Sequence, residues 1–372
     1  MVVAKITAAF GVYLLLNNTF EYWMPLISPL VNFLVIVILS WFLGKLITKK
    51  LLIKKGILPP VDPKGKAILI TGCDSGFGHM ASLEFSRLGF LVFSTVLNPE
   101  GEGAQELLKK GNKRILVIQM DVTKSDQVLE AVDTVESFLS SDNPLGVNQL
   151  FALVNNAGIA SGGEIEWMAP GSVQDFESHL QVNTLGVIRV TRCFLPLLRK
   201  SKGRIINLSS ILGQTSLPGL SAYCVSKAAT AKFSEGLQSE LSRFGVTIVD
   251  IQPWFFKTPM LNTQAILDDM TRKWRSASNE VRSSYGGESY LEKMLHAAAF
   301  TVSHPKNVIQ KPQQVVDALV EGVTSPEPDL VIRVISPGFG FVFWVVNYLL
   351  PWDILFQVRR AIDLLPHFHS LK

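Results

Sequence analysis

Seven short apolar runs recur between residues 67 and 335, and the longer stretches that separate them have helical periodicity. The runs are AILIT, FLVFSTV, RILVIQM, LFALVNN, GRIINLS, VTIVDIQ and DLVIRVI. Most are continuously apolar rather than alternating, which is how strands covered on both faces read. Between them lie amphipathic segments such as SDQVLEAVDTVESFL. Parallel strands need a long crossover, and a helix is the usual one. The rhythm therefore predicts βαβ units: an α/β fold with a doubly wound, Rossmann-like parallel sheet of about seven strands.

The flanks do not follow this rhythm. No charged residue occurs from Tyr22 to Gly44, and the segment is long enough for a membrane-spanning helix, which needs roughly 20 residues. An earlier run, TAAFGVYLLLNNTF, suits a signal h-region, a second partial span or an interfacial helix. Lys45, Lys49, Lys50, Lys54 and Lys55 follow, and by charge bias they put the next domain on the cytoplasmic side. They also account for much of the formal net charge of +4, so the charge points to a membrane flank and not to nucleic acid. The division expected is an anchor and basic linker at 1–60, a main domain at 61–336 with a lid at about 258–310, and an apolar extension at 337–372. The three cysteines are widely spaced, with neither a disulfide framework nor a metal site indicated.

Two local patterns carry chemistry. TGCDSGFGH, residues 71–79, follows the first apolar run directly. In it Gly72 closes a strand, Gly76 lets the backbone approach a phosphate, and Gly78 lets the next helix pack closely. A helix that starts here offers free N–H groups and a partial positive charge to a pyrophosphate. The spacing is TGxxxGxG rather than GxGxxG, and such a turn also serves as a plain tight connection. Farther on, GRIINLSS ends a strand at Ser209 and Ser210, and SAYCVSK sets Tyr223 and Lys227 on one helix face. A YxxxK pair says little alone; its order after the glycine turn and the serine gives it weight.

Taken together, TGCDSGFG, NNAG at Asn155 to Gly158, Asn183 in QVNTLG, Ser210 and YCVSK resemble the short-chain dehydrogenase/reductase family, over roughly residues 66–258. TGCDSGFG, GFLVFSTVLN, FLPLLRKSKGRIINLSS and SSYGGESYLEKM look most like the branch holding retinol dehydrogenases, type 2 17-beta-hydroxysteroid dehydrogenase and D-beta-hydroxybutyrate dehydrogenase. The resemblance implies an NAD(P)-dependent oxidoreductase of CH–OH groups. Tyr223 is then the acid/base, Ser210 binds the substrate oxygen, and Asn183 holds the water path that connects Lys227 to solvent. A free phenol titrates near ~10, so Lys227 and the cationic nicotinamide are expected to favour its ionised form. Gly72, Ser75, Gly76, Phe77 and Gly78 would line the phosphate turn, and Asp121 and Val122 would lie by the adenine. Asn155, Ala157 and Gly158 would flank the ribose and nicotinamide, although Asn155 also suits a brace within the sheet. Thr258 would meet the carboxamide or serve as an N-cap; Pro253, with Tyr223 and Lys227, completes the cofactor set.

The chain departs from the family twice. Val96 and Leu97 stand where many NAD-using members carry an acidic residue, and no arginine is there either. With Ser75 where NADP-preferring members often have a basic residue, this favours NAD over NADP. In QPWFFKT, Trp254 follows Pro253 where the family usually has glycine. The expected partners are a small lipophilic substrate such as a hydroxysteroid or retinol, a membrane and a second copy of the chain in a homodimer. The expected location is the endoplasmic-reticulum membrane with the catalytic domain cytosolic, a mitochondrial membrane being the alternative. Two other functions compete. A short hydroxy acid would need a cation such as Lys257, Arg272, Lys273 or Arg275, and a cofactor-binding scaffold would have lost catalysis.

Overall fold

The computed structural model describes residues 59–169, 171–304 and 308–335, together with the isolated positions Phe33, Ile36, Val37, Ser40 and Gly44. Apart from those five positions, the expected membrane helix at 22–44 lies outside the described residues, and so does the extension at 337–372. Among the described residues no helix is long and apolar enough to cross a membrane.

Asp62–Val334 belong to one compact unit. Its strands form where the apolar runs are: β1 (Lys66–Ile70), β2 (Leu91–Val96), β3 (Ile115–Gln119), β4 (Gln149–Asn155), β5 (Arg204–Leu208), β6 (Thr247–Pro253) and β7 (Val331–Val334). Helices α1 (Gly76–Arg87), α2 (Glu102–Lys110) and α3 (Ser125–Ser140) join the first four strands. After β4 come α4 (Gln174–Leu180), a wide π-helical turn (Gln181–Gly186) and α5 (Val187–Ser201); α6 (Ser221–Leu241) joins β5 to β6. Between β6 and β7 lie α7 (Thr263–Ser276), α8 (Asn279–Ser284), α9 (Glu288–Ser303) and α10 (Gln313–Thr324).

All strand pairings are parallel. The sheet order is β3-β2-β1-β4-β5-β6-β7. Connections leaving β1 and β4 run to opposite sides, so a crevice opens at their carboxyl ends, and ligands bind at such switch points. Strand alternation sends Ala67, Leu69, Leu91 and Phe93 into a core shared with Val128, Val135, Phe194 and Leu237 of α3, α5 and α6. On the other face Gly322 of α10 sits against β5 and β6, where an added Cβ would touch Ile206 and Val249 at 3.4 and 3.5 Å. Each fully buried large side chain contributes about 1.5–3 kcal/mol, so the sheet is the rigid part on which the crevice is built.

The expected lid has a core of its own. Trp167, Met270, Trp274, Ala277 and Leu291 bury one another, with the rings of Trp167 and Trp274 5.2 Å apart and edge to face. Trp274 Nε1 donates to Glu288 Oε1 at 3.0 Å, which fastens α7 to the start of α9. Asn262 and Ser278 cap α7 and α8, accepting from the N–H groups of Ala265 and Val281.

Candidate active site

The glycine turn between β1 and α1 lies at the switch point. A Cβ on Gly72 would come within 2.8 Å of Ala157 Cα, and one on Gly78 within 2.4 Å of Gly72 O and of Asn156 Nδ2. Only glycine lets these two loops approach so closely. Gly76 is different: its φ is +63°, and an added Cβ would meet nothing nearer than Pro259 and Thr258, each 4.0 Å away. Ser75 precedes α1 in extended conformation and makes no side-chain cap, so its hydroxyl does not occupy the helix N-terminus. Backbone donors beside open space, with Thr258 opposite, fit a dinucleotide pyrophosphate. Phe77 packs edge to face on Phe256, with centroids 5.9 Å apart, and so ties α1 to the chain leaving β6.

Thr71 and Asn156, which the sequence reading passed over, lock the cradle. Thr71 Oγ1 accepts from the N–H groups of Asn156 and Ala157, both at 3.0 Å. Asn156 Nδ2 donates to Thr71 O at 2.8 Å and Gly72 O at 2.9 Å. The Asn155 side chain faces the sheet interior and donates to Thr191 Oγ1 and Asn207 Oδ1, at 3.0 and 2.8 Å. Its amide nitrogen therefore braces the sheet. At the end of β3, Asp121 Oδ1 accepts from Thr123 N and Oγ1, both at 2.8 Å, and Arg189 Nη1 donates to Val122 O at 2.6 Å.

Ser210, Tyr223, Lys227 and Asn183 converge beyond the ends of β4 and β5. Ser210 caps a short 3₁₀ turn, its Oγ accepting from Leu212 N at 3.1 Å and lying 3.4 Å from Pro253 O. Ser210 is also the polar side chain that acts on the Tyr223 phenol. Burial pushes that phenol up to about 12, and Ser210 pulls in the opposite direction. Lys227 Nζ donates to Leu208 O at 2.8 Å and sits 5.9 Å from the Tyr223 ring centroid. Burial lowers Lys227 to about 8, against the attraction of Asp250. Lys227 thus stands beside the Tyr223 ring with its ammonium turned to a carbonyl.

Asn183 lies in the π-helical turn and is fully buried. Its side chain closes a ring with Ile159, accepting from N at 2.8 Å and donating to O at 2.9 Å, and also donates to Ser226 Oγ at 2.9 Å. Thr230 Oγ1 donates to Asn183 O at 2.7 Å. A Cβ on Gly158 would come 3.2 Å from Asn183 Oδ1 and 3.5 Å from Lys227 Nζ, so the NNAG loop, Asn183 and Lys227 meet at one point.

Behind Lys227 is Asp250, a buried carboxyl on β6 whose Oδ2 accepts from Gln252 Nε2 at 2.7 Å. Burial raises its pKa; Ser209, Gln252 and Lys227 act the other way. The sequence did carry this signal, as a charge interrupting the apolar run VTIVDIQ. Beside Tyr223 is His179, edge to face with centroids 6.3 Å apart. Its Nδ1 lies 2.6 Å from Asp175 O and must donate, so Nε2 accepts from Ser161 N at 3.1 Å. Burial lowers the pKa of this ring, which favours its neutral form.

The wall nearest the lid is closed by Lys273 of α7. Its ammonium meets Asp175 Oδ2 at 2.7 Å, Asp269 Oδ2 at 3.1 Å, and Ser161 Oγ and Gly162 O at 3.0 Å each. Arg272 is paired with Asp269 as well. Trp254, the unusual residue after Pro253, has no left-handed φ and so needs no glycine there. Its N–H donates to Val334 O at 3.0 Å, continuing the β6–β7 ladder, and its ring packs edge to face on Phe255.

Known proteins resemble this chain in sequence and in fold. The short chain dehydrogenase family model matches residues 66–266. Estradiol 17-beta-dehydrogenase 2 of Mus musculus is 41% identical over 230 residues, 62% of this chain and 58% of that protein. Retinol dehydrogenase 16 of Mus musculus is 40% identical over 231 residues, 62% of this chain and 69% of that protein. The alignment thus spans under two thirds of the first relative's length. A short chain dehydrogenase from Burkholderia cenocepacia, solved with NADP, is similar in fold, with a TM-score of 0.56 at 19% identity over 77% of this chain and 95% of its own. A family match over more than half of the sequence, with the glycine turn and the Ser–Tyr–Lys cluster inside it, makes this chain a member of the short chain dehydrogenase family.

Proposed function

We propose that this chain moves a hydride between NAD(H) and a lipophilic secondary or allylic alcohol, of the hydroxysteroid or retinol class, with Tyr223 as acid/base. The observation that carries this reading is the Tyr223 phenol, set beside Ser210 and Lys227 at the crevice that also holds the glycine cradle. The nicotinamide, when bound, supplies the hydride acceptor for oxidation and the donor for reduction. The protein manages the proton. Ser210 donates to the substrate oxygen and fixes it next to the phenol. Tyr223 Oη takes the hydroxyl proton as the alcohol is oxidised and returns one to the carbonyl oxygen on reduction. Lys227 holds a charge close to the phenol, and Asn183 with Ser226 and Thr230 keeps the NNAG loop against it.

A lipophilic substrate is supported by Ile159 and Met260, exposed apolar residues next to Asn183 and Thr258. The two relatives named for estradiol and retinol point the same way. Of the four cations a short hydroxy acid could use, Lys273 is already surrounded by acceptors and Arg272 is paired with Asp269, which leaves Lys257 and Arg275 for that reading. NAD is favoured over NADP, since neither Ser75 nor the Val96–Leu97 end of β2 offers a cation to a 2′-phosphate. The uncharged stretch 22–44 and the lysines after it support attachment to a membrane, with the endoplasmic reticulum as the first expectation.

The test is turnover by membranes bearing the full chain, with NAD and NADP, on panels of hydroxysteroids, retinoids and short hydroxy acids. Oxidation of a steroid or retinoid that disappears in Tyr223→Phe is the expected result. Turnover confined to hydroxy acids, or turnover untouched by that substitution, would overturn the proposal.

A further inference from the structure

We infer that Asp74, reaching from the glycine turn to the end of β2, makes this chain select NAD(H) by excluding the 2′-phosphate of NADP(H). The inference rests on the dinucleotide reading of the cradle and assigns its selectivity to one carboxylate. In sheets of this type the adenine ribose lies past the end of β2, where an acidic group selects a free 2′-hydroxyl and an arginine admits a phosphate. Here β2 ends on Val96, and neither Leu97 nor Asn98 carries a charge. The charge comes from the neighbouring loop instead. Asp74 Oδ1 and Oδ2 lie 2.9 and 3.1 Å from Leu97 N, and Oδ1 lies 3.3 Å from Asn98 N.

Two consequences follow for a ligand. The N–H groups of Leu97 and Asn98, which could receive a phosphate oxygen, already face a carboxylate. The local charge is negative besides, and nothing near in sequence offsets it. Glu100 and Glu102 follow as exposed acids. Between Thr71 and Leu108 the only basic residues are His79 and Arg87, and these face Glu106 at 3.2 Å and Glu84. A phosphate with nearly two negative charges would meet this rim, whereas a hydroxyl could donate to it. The backbone explains why Asp74 stays in place: it is part of the turn that Thr95 O holds through Cys73 N at 2.8 Å.

The alternative is that Asp74 only braces the two loops, and a pair of substitutions separates the roles. Asp74→Asn keeps an acceptor for Leu97 N–H and removes the charge; Asp74→Ala removes both. The measurement is the dissociation constant of NADH and of NADPH for the full-length chain, by fluorescence titration, repeated with adenosine 5′-monophosphate and adenosine 2′,5′-bisphosphate as probes without nicotinamide. Wild type is expected to prefer the ligands lacking the 2′-phosphate by roughly 10–100-fold, and Asp74→Asn to bring the ratio to within about threefold with its melting temperature unchanged. A wild-type ratio near one, or a ratio unmoved in Asp74→Asn, overturns the inference and leaves the cofactor reading standing. No binding of either dinucleotide overturns the cofactor reading and the inference with it.

Discussion

Asn183 and Trp274 are both fully buried, yet they are held by different means. Asn183 has its polar atoms matched by Ile159, Ser226 and Thr230, on elements anchored in the sheet. Trp274 is held by its bulk, within a small cluster supplied mainly by the lid itself, and by a single bond to Glu288. A satisfied polar network accepts one geometry, since each unpaired buried group costs about 1–3 kcal/mol. An apolar cluster tolerates rearrangement if its volume is kept. On the proposed reading, the floor of the site suits fixed chemistry and the expected lid a substrate-dependent shape.

The largest expected effect tests the floor alone. Tyr223→Phe should lower kcat by about 10²–10⁴-fold while dinucleotide affinity and melting temperature stay near wild type. With the phenol pushed up to about 12, oxidation by wild type should gain with rising pH through the alkaline range, because the base form is the scarce one there. Steady-state rates across pH check both.

Next is the lid. Trp274→Ala should cost roughly 3–5 kcal/mol of local stability. Hydrogen exchange should quicken across 263–303 and leave β4 and β5 protected, with KM raised more than kcat. Equal loosening of lid and sheet would erase the distinction between the two regions.

The third prediction concerns the buried ammonium. A base lowered from 10.5 to about 8 by folding lets the unfolded chain bind more protons between those values, so stability gains as pH rises through that window. The buried thiol of Cys73, pushed up to about 12, acts oppositely above its ordinary range and is common to both proteins compared. The difference in unfolding free energy, wild type minus Lys227→Met, should therefore rise by ~3 kcal/mol from pH 8 to 10.5. A flat difference would mean that Lys227 is solvated as freely when folded as when unfolded.

The smallest effect sharpens the comparison within the floor. Ser226→Ala removes one acceptor of Asn183 Nδ2 and should cost about 1–2 kcal/mol, with kcat falling more than KM rises. Chemical denaturation and initial rates would show it.

The same contrast governs what could be read from the sequence. Strand positions were legible because a buried parallel strand has to be apolar throughout, and all seven runs became strands. Tyr223 and Lys227 were legible because a helix puts residues four apart on one face. Asn155 was half legible: its presence at a strand end was plain, but the partners that turn it inward, Thr191 and Asn207, lie 36 and 52 residues away. Asp74 and His179 were missed for the same reason, since their meaning depends on loops brought together only by folding. The lid was legible as a break in rhythm and no further, because Trp167, which completes its core, belongs to the chain after β4. Lys273 read as a candidate partner for a substrate carboxylate, for want of knowing that Asp175 would face it.

The wide turn Gln181–Gly186 stores one residue more than an α-helical turn would. Deleting that residue would let α4 and α5 run on as an ordinary helix close to their present phase, with His179 still beside Tyr223 and Asp175 beside Lys273. What would go is the bulge that carries Asn183, and with it the ring of bonds to Ile159 and Ser226. A change in length of one residue would then loosen the floor and spare the lid, the reverse of what Trp274→Ala does.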